Sequence, residues 1–338
     1  MINIKRILCP TDLSTNSDQA LRYALALTRA YQAKLTVCYR PDDGELLGAV
    51  AIYEGRVAGS VEPEKGKEIF ERALLKFLAP EDQDGLDWQG LLIRGQEVGE
   101  AITRTASECT ADLIVMRSRR RPHRAALLGS TAESVCRTAP CPVLVTHSDE
   151  RDWVQPFNKS ITLNRVLVPY DFSDYSELAL NYALSFAQEY QAELHLLHVL
   201  PPHTVNQPEI AWYPNQSETA YHTAARRLQR AVPPEAHLWC QIKHAVTEGQ
   251  PYREVLNYAE KNEIDLISIG AHGAGFGMRA LFGSNVDRVL RQAPCPVLVA
   301  RHLKPAVSED LSGDGTICCV DDIQRTETSR YRRDSPGV

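Results

Sequence analysis

The sequence lacks the cysteine spacing and the long apolar runs that would mark a secreted or membrane-spanning protein. Its 338 residues include nine cysteines, an odd number, and no Cys-x-x-Cys pair, so neither a disulfide framework nor a zinc ribbon is indicated. No run of about eighteen apolar residues occurs, and no transmembrane helix is predicted. The first residues, Met1–Cys9, show no signal-peptide pattern. We therefore expect a cytoplasmic protein with reduced thiols and no membrane partner.

The chain also lacks an excess of basic residues. Lysine and arginine total 37 against 43 aspartates and glutamates, which gives a formal net charge of -6. Because binding to nucleic acid needs a basic surface, no nucleic-acid partner is predicted. The P-loop, the zinc-protease motif and the serine-hydrolase elbow are absent as well. Hydrophobic residues make up 43% of the chain, enough for two cores of ordinary size.

Two histidines that could suggest a metal are set aside. His195 and His198 lie three residues apart on a predicted strand. Side chains alternate along a strand, so the two rings face opposite sides of the sheet and make a poor pair of ligands. We predict no metal site and no catalytic residue.

The chain contains two copies of one domain. Residues Arg6–Leu35 align with Arg165–Leu194 at a constant offset of 159 without a gap. The segment Ala139–Val145 recurs letter for letter at Ala293–Val299. A repeat of about 155 residues is far longer than a solenoid unit. It indicates a duplicated domain.

The repeats predict four parts of the chain. These are a first domain at 1–147, a linker at 148–163, a second domain at 164–303 and a polar tail at 304–338. The linker is polar and has no sustained apolar period. The tail is rich in polar and charged residues, and we expect it to be disordered. Cys318 and Cys319 lie in this tail, and we interpret them as an incidental pair, with a redox or metal role as the alternative.

Each repeat alternates short apolar runs with helical patterns. The predicted strands of the second repeat are Val166–Pro169, Leu194–Leu200, Trp239–His244, Leu266–Ile269 and Val297–Ala300. Ser173 should cap the first helix, whose apolar stripe runs from Ala179 to Tyr190 at a spacing of three to four residues. Continuous apolar strands that alternate with helices predict an α/β fold, with a doubly wound, five-stranded parallel sheet in each domain.

A glycine-rich segment follows the fourth strand of the second repeat. Gly270-Ala271-His272-Gly273 is followed by nine residues, 274–282, and then by Gly283-Ser284. Glycines permit a positive φ and have no Cβ to block a close approach, so their N–H groups can surround an anion. Gly283-Ser284 should begin a helix, Ser284–Gln292, whose N-terminus favours a phosphate.

This Gly-x-x-Gly-x9-Gly-Ser spacing, in a domain of this pattern, is similar to the ATP-binding class of the universal stress protein family. The resemblance covers almost all of residues 1–302. It implies strand order 3-2-1-4-5, a ligand at the switch point between strands one and four, and ATP as cofactor, with or without Mg²⁺. The implied nucleotide contacts are Pro169, Asp171, Val199, Ile269, Gly270, His272, Gly273, Gly283, Ser284 and Asn285.

Less specific interpretations of the same residues stay open. Asn285 departs from the small or β-branched residue that the family often has at this position. The glycines could mark a flexible loop, and Asp171 could be a turn or capping residue. His272 could contact a phosphate or face solvent.

The first repeat has lost the glycine-rich segment. Arg117 and Arg120 stand where the family has its first two glycines, and the spacer before Gly129-Ser130 is one residue short. Asp12 persists. We interpret segment 117–124 as a solvated arginine-rich loop on a degenerate site; capture of another anion or of an acidic partner is the alternative.

The resemblance implies an ATP-binding sensor or adaptor of the stress response, with an adenine nucleotide and an unidentified protein as partners. At most weak ATP hydrolysis is expected. A slow ATPase that uses the same pocket and a scaffold that binds no nucleotide are the alternatives. In this family the fifth strand often pairs across a dimer, so Val143–Val145 and Val297–Val299 could pair in a homodimer or within the chain.

Overall fold

The computed structural model describes residues 3–14, 17–41, 70–72, 74–75, 85–118, 129–147, 150–155, 160–202, 216–272 and 283–301. Its strands are β1 Arg6–Thr11, β2 Lys34–Tyr39, β3 Trp88–Leu92, β4 Leu113–Arg117, β5 Val143–Thr146, β6 Arg165–Pro169, β7 Glu193–Leu200, β8 Ile242–Glu248, β9 Leu266–Gly270 and β10 Val297–Ala300. Its helices are α1 Asp18–Tyr31, α2 Val98–Glu108, α3 Ser130–Thr138, α4 Asp174–Tyr190, α5 Gln216–Ala231, α6 Pro251–Lys261 and α7 Ser284–Gln292, with a 3₁₀ helix at Pro234–Leu238. None of these helices is long and apolar enough to cross a membrane.

The strands form one sheet in the order β3-β2-β1-β4-β5-β10-β9-β6-β7-β8. Each half is parallel and has the expected order 3-2-1-4-5, which confirms the α/β fold. At the centre β5 and β10 pair antiparallel, with Leu298 opposite Leu144. The fifth strands therefore pair within the chain. The two predicted sheets are joined into one, and the described residues form one compact unit.

Alternation along the strands builds a core on each face of the sheet. In β1, Ile7 belongs to the layer shared with α1 and α4, whereas Leu8 belongs to the layer shared with α2, α3, α6 and α7. Val166 and Leu167 divide in the same way in β6. Because both faces are covered, these strands read as continuous apolar runs rather than as alternating ones.

The duplication is visible in the backbone as well as in the sequence. Gln32 and Gln191 end α1 and α4 in the left-handed conformation, with φ of 51° and 53°. Leu13 and Phe172, which follow the first strand of each repeat, have φ of 55° and 65°. A non-glycine residue at positive φ is uncommon. Its recurrence at matching positions indicates that the two repeats share one chain path.

The predicted third strand of the second repeat is misplaced. Trp239–His244 was expected, whereas β8 begins at Ile242. The N–H groups of Trp239 and Cys240 donate to the carbonyl oxygen of Ala236, at 3.3 Å and 3.0 Å. These bonds belong to the end of the 3₁₀ helix, so the residues are not available for pairing with β7.

The described residues of the predicted linker include side chains that pack into the core. The Trp153 side chain is 1% exposed and Val154 is fully buried. The rings of Trp153 and Tyr23 meet edge to face, with centroids 4.7 Å apart. The backbone N–H of Trp153 also donates to Tyr23 Oη at 3.1 Å, and Asp152 forms an ion pair with Arg22 of α1. The connection between the repeats thus completes the layer that contains α1.

Candidate functional site

The carboxyl ends of β6, β7 and β9 meet at one edge of the sheet. β6 pairs in parallel with β7, where Pro169 lies opposite Leu197, and with β9, where Val166 lies opposite Leu266. From β6 the chain passes to β7 and β8 on one side and later returns to β9 on the other. The switch point therefore lies between β6 and β9, where ligands of open α/β sheets bind.

Asp171 forms a turn just beyond β6. Its Oδ1 accepts hydrogen bonds from the N–H and the hydroxyl of Ser173, at 3.1 Å and 2.5 Å. Ser173 Oγ in turn accepts the N–H of Ser176 at 3.2 Å, so the predicted cap of α4 is confirmed. The turn interpretation of Asp171 is observed. Pro169 and Asp171 are both half-buried at this edge, and their contact with a nucleotide stays a prediction.

Gly270 ends β9 at a point where α4 leaves no room for a side chain. A Cβ on this residue would lie 2.6 Å from the carbonyl oxygen of Tyr175 and 2.7 Å from the carbonyl carbon of the same residue. Neither Gly270 nor Gly283 has a positive φ. At Gly270 the absence of a side chain serves helix packing, and the preceding Ile269 is only 8% exposed.

Replacing Gly270 with alanine is expected to destabilise the protein by about 3 kcal/mol, because the backbone of α4 or β9 must shift. Gly283→Ala is the matched control at the other end of the same segment. There the nearest atom to a new Cβ is the Val286 Cγ2, at 3.3 Å, so a loss below about 1 kcal/mol is expected. Urea denaturation followed by circular dichroism measures both losses, and equal losses would contradict the packing argument.

The N-terminus of α7 lies beside the carboxyl end of β9. A Cβ on Gly283 would be 4.0 Å from the carbonyl oxygen of Ala271. Gly283 occupies the N-cap and offers no side chain, while Ser284 and Asn285 in the first turn are exposed. The predicted helix Ser284–Gln292 is confirmed. Gly273 lies outside the described residues.

His272 and Val199 also lie at the carboxyl edge of the sheet in the second repeat. The His272 ring lies 4.8 Å from that of Tyr175 in an edge-to-face contact. The residue is half-buried, so part of it packs against Tyr175, and its contact with a phosphate stays a prediction. Val199, near the end of β7, is half-buried and packs against the layer that contains Ile269 and Val286. Sequence reasoning missed Tyr175, which contacts both Gly270 and His272.

The universal stress protein family model matches residues 3–147 and again residues 162–301. The chain therefore belongs to the universal stress protein family. A family member from Mycolicibacterium smegmatis is 28% identical over 301 residues, which cover 87% of this chain and 96% of that one. Universal stress protein MJ0531 of Methanocaldococcus jannaschii is 30% identical over 141 residues, 41% of this chain and 83% of its own. The crystal structure of an Archaeoglobus fulgidus universal stress protein covers 88% of this chain and 98% of its own, with 22% identity and a TM-score of 0.60.

The first repeat of this universal stress protein carries arginines at two corresponding positions. Arg117 ends β4 opposite Thr146, as Gly270 ends β9 opposite Ala300. Arg40 follows β2 at the place of Val199, and its Nε donates to the carbonyl oxygen of Gly95 at 2.9 Å. Sequence reasoning missed Arg40, although subtracting the offset of 159 from 199 gives this position. Arg120 and the rest of segment 119–124 lie outside the described residues.

The N-terminus of α3 in the first repeat has the same backbone conformation as the N-terminus of α7, its counterpart in the second repeat. Gly129 has φ of -58° and ψ of 134°, against -57° and 130° at Gly283. The retained Asp12 also forms the same turn, because its Oδ1 accepts the N–H of Ser14 at 3.1 Å. At these two points the first repeat thus keeps the local backbone of the second.

The two histidines of β7 face opposite sides of the sheet. His195 Nδ1 lies 3.0 Å from Tyr258 Oη, and burial lowers the pKa of the ring. His198 Nδ1 lies 2.7 Å from the carbonyl oxygen of Tyr170 on the other face. Within the described ranges, no three histidines, cysteines or acidic residues lie close enough to hold a metal ion.

Proposed function

We propose that this universal stress protein binds ATP, with or without Mg²⁺, at the carboxyl edge of its second repeat. The observation that carries the proposal is the exposed first turn of α7, with Ser284 and Asn285 beside the end of β9. The first N–H groups of a helix have no partner inside it and carry partial positive charge, which favours a phosphate. The topology supports the same position, since the switch point lies between β6 and β9.

In this proposal the base, the ribose and the phosphates of the nucleotide bind to different elements of the second repeat. Pro169, Asp171 and Val199 face the base and ribose, with Ile269 and Gly270 at the floor of the site. The phosphate oxygens accept hydrogen bonds from the N–H groups around Gly283, Ser284 and Asn285, with His272 close by. Gly273 belongs to this set by sequence alone.

The asymmetry between the repeats supports one nucleotide per chain. Arg40 and Arg117 place long charged side chains where the second repeat has an aliphatic residue and a glycine. Such side chains fill the space that a base and a phosphate tail would need. We propose that the first repeat is structural and supplies β5 as the partner of β10.

We further propose that nucleotide occupancy acts as a signal, which an unidentified protein partner senses, in the cytoplasm. No observation favours hydrolysis, so the slow ATPase stays an alternative.

A ligand-linked rise in stability tests the proposal. At an ATP concentration 100 times Kd, binding should add about 2.7 kcal/mol to the free energy of unfolding and raise Tm. Mass spectrometry of ligand released from the denatured purified protein should find one adenine nucleotide per chain or fewer. A protein that shows neither ligand nor a rise in Tm would be a scaffold, and release of ADP from added ATP would identify a slow ATPase.

A further inference from the structure

A tyrosine flanked by two arginines lies on the helices next to the proposed phosphate site. We call Tyr252, Arg253 and Arg288 the arginine–tyrosine cluster. The guanidinium carbon of Arg288, on α7, lies 4.6 Å from the centroid of the Tyr252 ring, on α6. Arg253 Nε donates to Tyr252 Oη at 2.9 Å. Both guanidinium groups thus contact the same tyrosine.

The two positive charges of the cluster are not neutralised by the described carboxylates. Asp287, next to Arg288, forms its ion pair with Arg291 at 2.5 Å. Glu254, next to Arg253, accepts a hydrogen bond from Thr247 at 3.4 Å. The hydrogen bond from Arg253 and the charges of both arginines lower the pKa of Tyr252. Two guanidinium groups beside one ring create a positive local potential, which would also attract a phosphate.

The position of Arg288 directs this charge toward the first turn of α7. Arg288 follows Ser284 by four residues, so the two side chains lie on the same face of the helix. Long side chains on a helix lean toward its N-terminus. The guanidinium group of Arg288 lies over Tyr252 in the first turn of α6, at the same edge of the sheet as the first turn of α7. α6 also begins at this edge of the sheet, because it follows the carboxyl end of β8.

The first repeat has no such cluster at the matching place. Gly95-Gln96 corresponds to Gly249-Gln250, so Val98 and Gly99 occupy the positions of Tyr252 and Arg253 in the first repeat. Ser134 stands for Arg288 in the same way. A Cβ on Gly99 would lie 2.6 Å from the Ser134 Cβ, which shows that α2 and α3 pack closely there. Two cations thus occur in the repeat that keeps the glycine-rich segment and are replaced by small side chains in the repeat that lost it.

We propose that Arg253 and Arg288, positioned by Tyr252, bind the terminal phosphates of the nucleotide and make the site prefer a triphosphate over a monophosphate. This inference rests on the proposed function and adds a specificity to it. A guanidinium group gives phosphate oxygens charge-assisted hydrogen bonds, which are stronger than neutral ones. AMP has no β- or γ-phosphate and would gain little from the cluster.

The test compares the affinities of ATP and AMP for the full chain by calorimetry. In the double variant Arg253→Gln/Arg288→Gln, ATP affinity should fall about 10- to 100-fold, as expected for lost hydrogen bonds to a charged group. AMP affinity should change less than about threefold. The matched control is Arg226→Gln/Arg230→Gln, which removes two exposed charges from α5. Tyr252→Phe keeps the ring beneath Arg288 but loses the hydroxyl that holds Arg253, so it should give an intermediate loss for ATP.

Each outcome decides one of two questions. If wild-type protein binds both nucleotides and the double variant keeps the wild-type ratio of affinities, the cluster does not contact the terminal phosphates and the inference is overturned. Equal losses for ATP and AMP overturn it as well. If the wild type binds neither nucleotide, the proposed function itself fails, and the inference fails with it. The melting temperatures without ligand should agree among all variants, which shows that the differences arise from binding.

Discussion

Replacing Trp153 with alanine is expected to lower the free energy of unfolding by about 3–5 kcal/mol. The side chain is 1% exposed, and its ring meets Tyr23 of α1 edge to face. Removing it leaves a cavity in the layer that α1 and α4 share. Because the sheet is continuous through β5 and β10, we expect both repeats to unfold in a single urea transition, and the variant should shift the whole of it.

Two further variants separate this loss from other causes. Trp153→Phe keeps an aromatic ring and should lose less than half as much. The indole N–H has no hydrogen-bond partner among the described residues, so its removal should add little. Gln155→Ala changes an exposed residue of the same connection and should cost less than about 0.5 kcal/mol. A transition midpoint equal to that of the wild type in Trp153→Ala would show that Trp153 contributes no packing energy to the folded state.

The regular elements near the site could be predicted because their signals are local. The strand Val297–Ala300 and the helix Ser284–Gln292 occupy the predicted residues. An apolar run, a glycine before a helix and a repeated segment are all readable within a few residues. The duplication added long-range information, since strong matches at a fixed offset identify the same element twice.

The remaining features depend on contacts that no local pattern contains. Trp153 and Val154 are two apolar residues in a polar stretch, and their burial is decided by α1, about 130 residues earlier. The need for glycine at position 270 comes from the backbone of Tyr175 in α4. The arginine–tyrosine cluster likewise joins two helices, so neither segment alone could predict it.

Replacing Ser284 with aspartate is expected to lower ATP affinity about 100-fold, because its carboxylate would lie within a few ångströms of the bound phosphates. The same change should leave the folded state as stable as the wild type. An aspartate in the first turn of a helix is favoured by the helix dipole, and Ser284 is exposed. A loss of binding without a loss of stability would separate a ligand contact from a structural one. Calorimetry with ATP and thermal unfolding without ligand measure the two quantities.

The duplicated chain supplies a control with the same local backbone. Ser130 begins α3 after Gly129, is exposed, and follows a glycine whose φ and ψ match those of Gly283 within a few degrees. Ser130→Asp therefore adds the same charge at the same kind of helix end, and ATP affinity should stay unchanged. If Ser130→Asp abolished binding while Ser284→Asp did not, the nucleotide would occupy the first repeat despite Arg40 and Arg117. If neither variant changed the affinity, the phosphates would not lie at a helix N-terminus, and the steric argument for the second repeat would be wrong.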